Sequence, residues 1–206
     1  MADQIPVSLR NILLIFIKNP RLGYVKTRLA RTVGDAEALR IYRILLDKTR
    51  SAARQLGAER LLFYSDFPDR EDEWAETEFE KQIQRGGDLG ERMEAAFRVA
   101  FEGGPAKVLI IGSDCPGLTG DMLQSAFDGL DAVDFVIGPT SDGGYYLLGM
   151  KQLEPSLFRN IEWSTETVCS RTIEKIRAAG RSFALLPLLS DIDTEDDWLL
   201  YEKNIL

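Results

Sequence analysis

A chain of 206 residues, 45% of them hydrophobic, can fill one sizeable core, so a single domain over residues 1–206 is expected. The formal net charge of -8 argues against broad affinity for nucleic acid, and no run approaches the roughly 18 apolar residues of a membrane span. Two cysteines and no histidine exclude a disulfide framework, histidine-based catalysis and histidine metal sites.

The first fifteen residues indicate where the protein works. They lack the basic segment, the apolar run and the small-residue cleavage site of a secretory signal. The low cysteine count also fits a reducing compartment. The sequence therefore predicts a cytoplasmic protein.

Apolar periodicity in the first third predicts an α/β domain with a largely parallel sheet. Residues 11–18, "NILLIFIK", predict the first strand, and an irregular basic loop follows it. Apolar residues three or four apart then predict an amphipathic helix over 35–56, ended by Gly57. A strand is expected over 60–65, before an acidic segment whose form the pattern leaves open.

The middle of the chain predicts a helix, a strand, a second helix and a hairpin. Asp88 and Glu91 form the pattern of a capping box, which opens a helix that stops at "FEGGP". A strand over 107–112, a helix from Thr119, and two strands joined at "SDGG" as a hairpin follow in order. The predicted buried face of the first helix is Leu89, Met93, Ala96, Phe97, Ala100 and Phe101.

The last part of the chain predicts two helices around a short strand. Ser164 is expected to open a helix that ends at Gly180. "SFALLPLL" predicts a strand and "SDIDT" a loop, after which Thr194 and Asp197 form a second capping-box pattern. The predicted inward face of the helix from Ser164 is Val168, Thr172, Ile173 and Ile176.

Polar clusters follow three of the predicted strands, and in an open α/β sheet ligands bind beyond the carboxyl ends of the strands. The first cluster is the basic loop "KNPRLGYVKTRL", in which Pro20 and Gly23 favour an irregular backbone. Its free amides, with Lys26 and Arg28, suit the oxygens of a small polyphosphate. A solvated basic loop is an equally good interpretation, because neither a Walker nor a Rossmann glycine pattern is present.

The second cluster, "GSDCPG", follows four aliphatic residues that predict a strand buried on both faces. Asp114 stands directly after this strand, and Pro116 fixes the turn that presents it. A carboxylate there suits Mg²⁺ or Mn²⁺, which prefer oxygen ligands and retain waters and phosphates. The alternative, a cap for the next helix, is weaker because Thr119 can take that position. Cys115 is interpreted as a small buried neighbour.

The third cluster, "SDIDT", places Asp191 and Asp193 on one face of an extended segment, with Ile192 on the other. One of the two carboxylates could complete a metal site with Asp114. Acids before a helix are also favoured by the helix dipole alone, and that interpretation stays open.

Two further motifs suit a hydroxyl, a ring or a sugar. In "PTSDGGYY", Asp142 could bind a hydroxyl and either Tyr145 or Tyr146 could stack on a ring or sugar, but a hairpin turn explains the same residues at least as well. Gly143 and Gly144 would let the backbone approach a ligand closely. In "EWST", Trp163 is a ligand platform or, more commonly for tryptophan, a core residue.

Six motifs occur in order over residues 16–197: "FIKNPRLGYVKTRL", "GGDLGERM", "IIGSDCPGL", "GPTSDGGYYLLG", "WST" and "DIDTEDD". Together they resemble the nucleotide-diphospho-sugar transferase superfamily, and within it a bacterial family of glycosyltransferases associated with radical-SAM and selenodomain proteins. The initial G-x-V-K-T-R-L is also similar to the start of the 2-phospholactate guanylyltransferases. The resemblance implies a Rossmann-like, three-layer α/β/α fold of the GT-A type with a mostly parallel central sheet.

The resemblance also implies a site and a cofactor, a divalent metal. By position, Asp114 is the metal ligand, with Asp191 or Asp193 as the second. The usual sugar-nucleotidyltransferase loop, G-G-x-S-x-R-M-G, is missing, and the D-x-D motif is reduced to Ser113-Asp114-Cys115. The residues implied at the nucleotide phosphates are Gly23, Lys26, Thr27, Arg28 and Ser113, and those at the substrate or acceptor are Asp142, Gly143, Gly144, Tyr145 and Trp163.

The reaction implied is transfer from a nucleotide or nucleotide-sugar donor to a small acceptor, with Asp114 and Lys26 in the catalytic site. Glycosyl transfer is the first expectation. Nucleotidyl transfer, as in the guanylyltransferases, and a nucleotide-binding module without activity remain as alternatives.

Overall fold

The structure is a computed structural model that describes the backbone of residues 9–205 and the side chains of residues 9–203. The first eight residues, on which part of the prediction of no secretory signal depends, lie outside the described residues. In the described part the strands are β1 (Arg10–Ile17), β2 (Glu59–Tyr64), β3 (Glu80–Ile83), β4 (Ala106–Ile111), β5 (Phe135–Pro139), β6 (Tyr145–Met150) and β7 (Phe183–Leu185).

These strands form one sheet in the order β3-β2-β1-β4-β6-β5-β7. All neighbouring pairs are parallel except those of β6, which runs antiparallel to both β4 and β5. The antiparallel pairing of β5 with β6 confirms the predicted hairpin. The mostly parallel sheet of the prediction is therefore confirmed.

Helices cover both faces of the sheet. They are α1 (Thr27–Val33), α2 (Asp35–Arg54), α3 (Leu89–Glu102), α4 (Gly120–Ala132), α5 (Val168–Ala178) and α6 (Glu195–Ile205), with a short 3-10 helix at Pro155–Phe158. The cluster on one face takes side chains from α2 and α4, and that on the other from α3 and α5. The predicted three-layer α/β/α architecture is thus confirmed. Among the described helices, none is both long enough and apolar enough to cross a membrane.

Strand β4 shows why this sequence forms the centre of the sheet. Leu109 and Ile111 point into one apolar cluster, and Val108 and Ile110 point into the other. Successive side chains of a strand alternate between its faces, so an uninterrupted aliphatic run is stable only where both faces are covered. Because β1, β2, β3 and β4 are mutually parallel, the loops that follow them emerge at one edge of the sheet.

Three of the predicted helix caps, at Asp88, Thr119 and Thr194, are confirmed. Asp88 accepts a hydrogen bond from the backbone of Glu91 at 2.8 Å, and Thr119 accepts one from Met122 at 3.3 Å. At α6 the bonds are reciprocal, since the Asp197 carboxylate accepts from the Thr194 backbone at 2.7 Å and the Thr194 hydroxyl from the Asp197 backbone at 3.3 Å. Thr119 therefore caps α4, which leaves Asp114 without a capping role.

Two details of the predicted helices are wrong. Helix α5 begins at Val168 and not at Ser164, because Ser164 has a φ of 65° in the left-handed region, where an N-cap residue would be extended. Leu89 was predicted on the buried face of α3 but is exposed, since it is the first helical residue and lies beyond the edge of the core.

Three elements were not foreseen, one of them the short 3-10 helix at Pro155–Phe158. Helix α1 lies inside the segment predicted as an irregular loop; it buries Leu29 against α2 and α6. Strand β3 follows the acidic segment, whose form was left open. The Lys81 ammonium of β3 is buried 2.7 Å from the Asp72 carboxylate, which also accepts a hydrogen bond of 2.6 Å from Tyr64. This buried ion pair fastens the acidic segment to the edge of the sheet.

Candidate functional site

The three predicted polar clusters meet at the carboxyl edge of the sheet. The loops after β1 and β4 reach this edge because their strands are parallel neighbours. The segment after β7 also comes here, since Leu189 forms a parallel bridge with Thr140 and the Ile192 backbone N–H donates to the Asp114 carbonyl at 3.0 Å. We refer to the space beside these three segments as the crevice.

Lys26 joins the three segments electrostatically. Its side chain is only 5% exposed, and Nζ lies 3.1 Å from Oδ2 of Asp114 and 3.2 Å from Oδ1 of Asp193. Lys26 has a φ of 46° and directly precedes α1, while its neighbour Val25 is buried in the core. The anchored backbone therefore sends the lysine stem through apolar surroundings to carboxylates far along the chain.

The basic loop is not an unpaired cationic patch. Arg28 donates to the second oxygen of Asp193 at 3.2 Å, and Arg21 pairs with Asp66 at 2.8 Å and lies 4.4 Å from the ring centre of Tyr24. Burial opposes the charge of Lys26, but the neighbouring carboxylates prevail and raise the pKa of the ammonium group. Three cations of this loop, Arg21, Lys26 and Arg28, are therefore held by acids from other segments.

Carboxylates remain in excess around these cations. Burial first, and then the charge of Asp142, raises the pKa of Asp191 from 3.8 to about 6; Asp193 adds to the rise and Lys26 opposes it. Ile192 is buried between Asp191 and Asp193, which confirms the predicted alternation along this segment. The crevice thus concentrates more negative charge than its lysine neutralises.

We expect Asp191→Asn to stabilise the protein by about 1–2 kcal/mol at about pH 8. This value is smaller than the free energy that corresponds to the whole pKa shift, because the carboxylate is partly exposed and solvent screens its charge. The raised pKa of Asp191 means that the folded state binds the proton more tightly than the unfolded chain. Ionisation therefore destabilises the fold progressively between about pH 4 and pH 6, and the full effect is present above that range.

Denaturant unfolding of parent and variant across this range measures the effect. The difference should shrink as the pH is lowered from about 8 to about 4. Asp196→Asn, at an exposed position on α6, is the matched control and should show no such trend. A stability difference for Asp191→Asn that does not change with pH would contradict the expectation.

The donor groups of the crevice suit a hard divalent cation in an open site. All are carboxylate oxygens, and the Lys26 ammonium already marks a position where a cation is held by Asp114 and Asp193. Within residues 9–203, no three acidic or cysteine side chains are arranged to hold a metal by themselves, so Asp114, Asp191 and Asp193 do not form a closed site. Mg²⁺ and Mn²⁺ commonly bind one or two carboxylates and complete their shell with water and substrate phosphate.

The predicted phosphate-binding residues are divided between the crevice and the interior. Gly23 and Thr27 are exposed, and Gly23 has a φ of 78°, which favours glycine in this turn. Ser113 is buried, and its hydroxyl lies 3.3 Å from the Tyr42 hydroxyl. The Ser113 side chain therefore faces the core, and only its backbone can serve a ligand in this conformation.

The "DGG" motif has a structural role that the sequence only partly indicated. Asp142 accepts hydrogen bonds from the Thr140 hydroxyl at 2.6 Å and from the Gly144 backbone at 3.0 Å, so it closes the hairpin turn. The Gly143 carbonyl accepts from the Cys169 backbone at 2.9 Å, and a Cβ on Gly143 would overlap the carbonyl of Glu166. The turn therefore docks the start of α5 as well as reversing the chain.

The two predicted aromatic platforms pack inside. Tyr145 lies against the core with its hydroxyl 3.7 Å from the Met93 sulfur, and Trp163 packs on Gly90 at the start of α3. Both rings are partly buried against the core in this conformation, and a role for either of them at a ligand stays a prediction. Cys115 is likewise buried, and burial with the nearby carboxylates raises the pKa of its thiol.

Two side-chain amides that hold the edge together were missed, the buried Asn19 and the partly buried Gln84. The Asn19 carbonyl oxygen accepts from the Asp66 backbone at 3.0 Å, and its amide donates to the Phe67 carbonyl at 2.8 Å. The Gln84 amide donates to the carbonyls of Ile17 and Phe63 at 3.0 and 3.1 Å. Their position one or two residues after a strand was the only signal, and it does not separate them from ordinary loop residues.

This architecture is that of the nucleotide-diphospho-sugar transferases. A "putative nucleotide-diphospho-sugar transferase" from Desulfovibrio desulfuricans G20 is 34% identical, with 96% of this chain and 88% of that chain covered and a TM-score of 0.87. The inositol-1-phosphate CTP transferase from T. maritima shares the fold at 16% identity, with 94% of each chain covered and a TM-score of 0.57. Rv0371c from Mycobacterium tuberculosis H37Rv, in complex with manganese, also shares the fold. It is 13% identical, with 93% of this chain and 97% of that chain covered and a TM-score of 0.58.

Residues 48–165 match the family described as "Uncharacterized protein conserved in bacteria (DUF2064)". The chain belongs to this family. No curated protein has significant sequence similarity to it. The predicted superfamily is confirmed, as is the transferase class, since the 34% identical structure is named a putative nucleotide-diphospho-sugar transferase.

Proposed function

We propose that the protein is a metal-dependent transferase that binds a nucleotide-sugar in the crevice and transfers its glycosyl group to a small acceptor. The observation that carries this proposal is the meeting of Asp114, Lys26 and the Asp191–Asp193 segment at the carboxyl ends of parallel strands. Open α/β sheets bind ligands at this edge. The 34% identical relative, which is named for nucleotide-diphospho-sugar transfer, supports the same donor.

The proposed roles follow from charge and position. Lys26 and Arg28 would bind the donor phosphates, with the exposed backbone around Gly23 and Thr27 beside them. Asp114 would hold Mg²⁺ or Mn²⁺, with Asp191 as the second ligand, because Asp193 already accepts from both basic side chains. When bound, the metal would neutralise charge on the phosphate oxygens of the leaving group. The manganese complex of Rv0371c, which shares the fold, supports the choice of metal.

The chain's own contribution is positioning and electrostatics. Lys26, fixed by a buried stem, offers a positive charge at one place and needs little reorganisation during the reaction. The acceptor would bind beside Asp142 and the backbone of Gly144, which lie near Asp191. Histidine is absent from the sequence, and transfer of this kind does not require it.

Nucleotidyl transfer from a nucleoside triphosphate is the second candidate. It is favoured by the shared fold of the inositol-1-phosphate CTP transferase, a nucleotidyl-transferring protein by name. The two reactions break different bonds, the anomeric carbon–oxygen bond in one and the α-phosphorus–oxygen bond in the other. A module that binds nucleotide without turnover would use the same crevice.

The test is a panel of nucleoside triphosphates and nucleotide-sugars, each with Mn²⁺ or Mg²⁺, assayed for turnover and for thermal stabilisation of the protein. Release of nucleoside diphosphate from a nucleotide-sugar supports glycosyl transfer, and release of pyrophosphate supports nucleotidyl transfer. Stabilisation without either product supports the binding module. If no nucleotide stabilises the protein, with or without metal, the proposal is wrong.

A further inference from the structure

The ammonium group of Lys26 occupies a cation position of its own in the crevice. It lies 3.1 Å from Asp114 and 3.2 Å from Asp193, and its side chain is only 5% exposed. The Asp114 carboxylate it contacts is 47% exposed, so this carboxylate is open to solvent on one side and held by lysine on the other. A phosphate-binding lysine need not contact the carboxylate that binds the metal, and this arrangement requires an explanation.

We propose that Lys26 acts as a resident cation that competes with the divalent metal for Asp114, and that it exchanges this carboxylate for donor phosphate when the metal binds. The inference rests on the proposed function, which places the metal on Asp114. It adds that Lys26 keeps the affinity for metal low until a donor is present. The charge of Lys26 therefore sets the order in which metal and donor bind.

Lys26 and the divalent metal compete because the two cations would lie close together. A divalent ion on Asp114 would lie within a few ångströms of the ammonium group, and like charges at that range repel strongly in a partly buried site. Asp193 can retain Lys26 after Asp114 is released, because it already accepts from Lys26 and from Arg28. Donor phosphate would offer Lys26 a replacement anion at the moment when the metal takes Asp114.

One consequence is that metal and donor bind with positive coupling. If the donor strengthens metal binding by giving Lys26 a new partner, the metal must strengthen donor binding by the same factor. Removing the charge of Lys26 should therefore tighten the binding of metal alone. A lysine that merely supported the fold would show the opposite result or none.

The experiment measures Mn²⁺ binding without nucleotide by calorimetry and by the electron paramagnetic resonance signal of free Mn²⁺. Lys26→Gln is expected to bind Mn²⁺ about tenfold more tightly than the parent. Arg28→Gln is the matched control, because it removes the same charge from the same Asp193, but Arg28 is 69% exposed and has no contact with Asp114. Its Mn²⁺ affinity should rise by less than about threefold.

Folding is checked by thermal unfolding of each variant, with Lys26→Met as a second uncharged replacement. Should neither Lys26 variant fold, the parent is tested directly. Saturating Mg²⁺ should then change the NMR signal of the Lys26 ammonium group, which the two carboxylates hold in place. An unchanged signal overturns the inference.

The outcomes separate this inference from the proposed function. If the parent binds Mn²⁺ together with a nucleotide, but Lys26→Gln binds Mn²⁺ alone no better than the parent, this inference fails and the function stands. An equal rise in both variants also overturns it, since general charge would then explain the result. If no protein binds Mn²⁺ in any condition, the inference fails together with the metal site of the proposed function.

Discussion

Asp114→Asn is expected to lower kcat/KM for the transfer reaction by at least about 100-fold, because it removes the charge that would hold the metal at the donor phosphates. The fold should survive. The Asp114 side chain is 47% exposed, and Lys26 retains Asp193 as a partner after the substitution. The measurement is steady-state kinetics with whichever donor the substrate panel identifies, together with calorimetric titration of Mn²⁺ in the presence of that donor.

Asp121→Asn is the control for this prediction. Asp121 is exposed in the first turn of α4, seven residues further along the chain, so the variant loses the same charge outside the crevice. It should keep kcat/KM within about twofold and lose only the few tenths of a kcal/mol that an acid contributes near a helix N-terminus. Activity of Asp114→Asn close to that of the parent would falsify the assignment of Asp114 to the metal.

The position of Asp114 could be predicted because the signals for it are local. An aliphatic run that breaks into Gly112-Ser113 fixes both the end of β4 and the edge at which the next side chain emerges. The caps at Asp88, Thr119 and Thr194 were predictable for the same reason, since each bond joins residues three apart. Local pattern and local geometry agree at these positions.

The pairing inside the crevice could not be predicted in this way. Lys26 and Asp193 are 167 residues apart, and nothing in either segment states that the path after β7 returns to β4. Read alone, the basic loop indicated either phosphate binding by unpaired cations or a solvated loop. The structure shows Lys26 and Arg28 already paired with carboxylates, so a phosphate would have to compete with these partners.

Helix α1 and the start of α5 were mispredicted for a related reason. Proline, glycine and basic residues favour a loop, yet Leu29 is buried by α2 and α6, and that tertiary contact stabilises the helix. Ser164 resembles an N-cap, but its backbone is left-handed and the helix starts four residues later. At α1, long-range packing outweighs the local preference.

Gly143→Ala is expected to destabilise the protein by about 3 kcal/mol or more. Gly143 has a φ of 88°, and an added Cβ would overlap the backbone carbonyl of Glu166, which cannot swing aside as a side chain would. Relief would require the segment before α5 to move away from the hairpin. That movement would strain the 2.9 Å bond from the Cys169 backbone to the Gly143 carbonyl. Denaturant unfolding of parent and variant at 25 °C gives the loss.

Gly180→Ala separates the two causes of this loss. Gly180 also has a positive φ, 66°, but no atom lies within 4 Å of its added Cβ, so only backbone strain of about 1 kcal/mol is expected. The excess for Gly143 then measures the contact between the hairpin and α5. Asp142 closes the same turn and raises the pKa of Asp191. A turn displaced in Gly143→Ala should therefore also change the binding of donor or acceptor. Equal losses for the two variants would show that the close approach to Glu166 does not hold the turn.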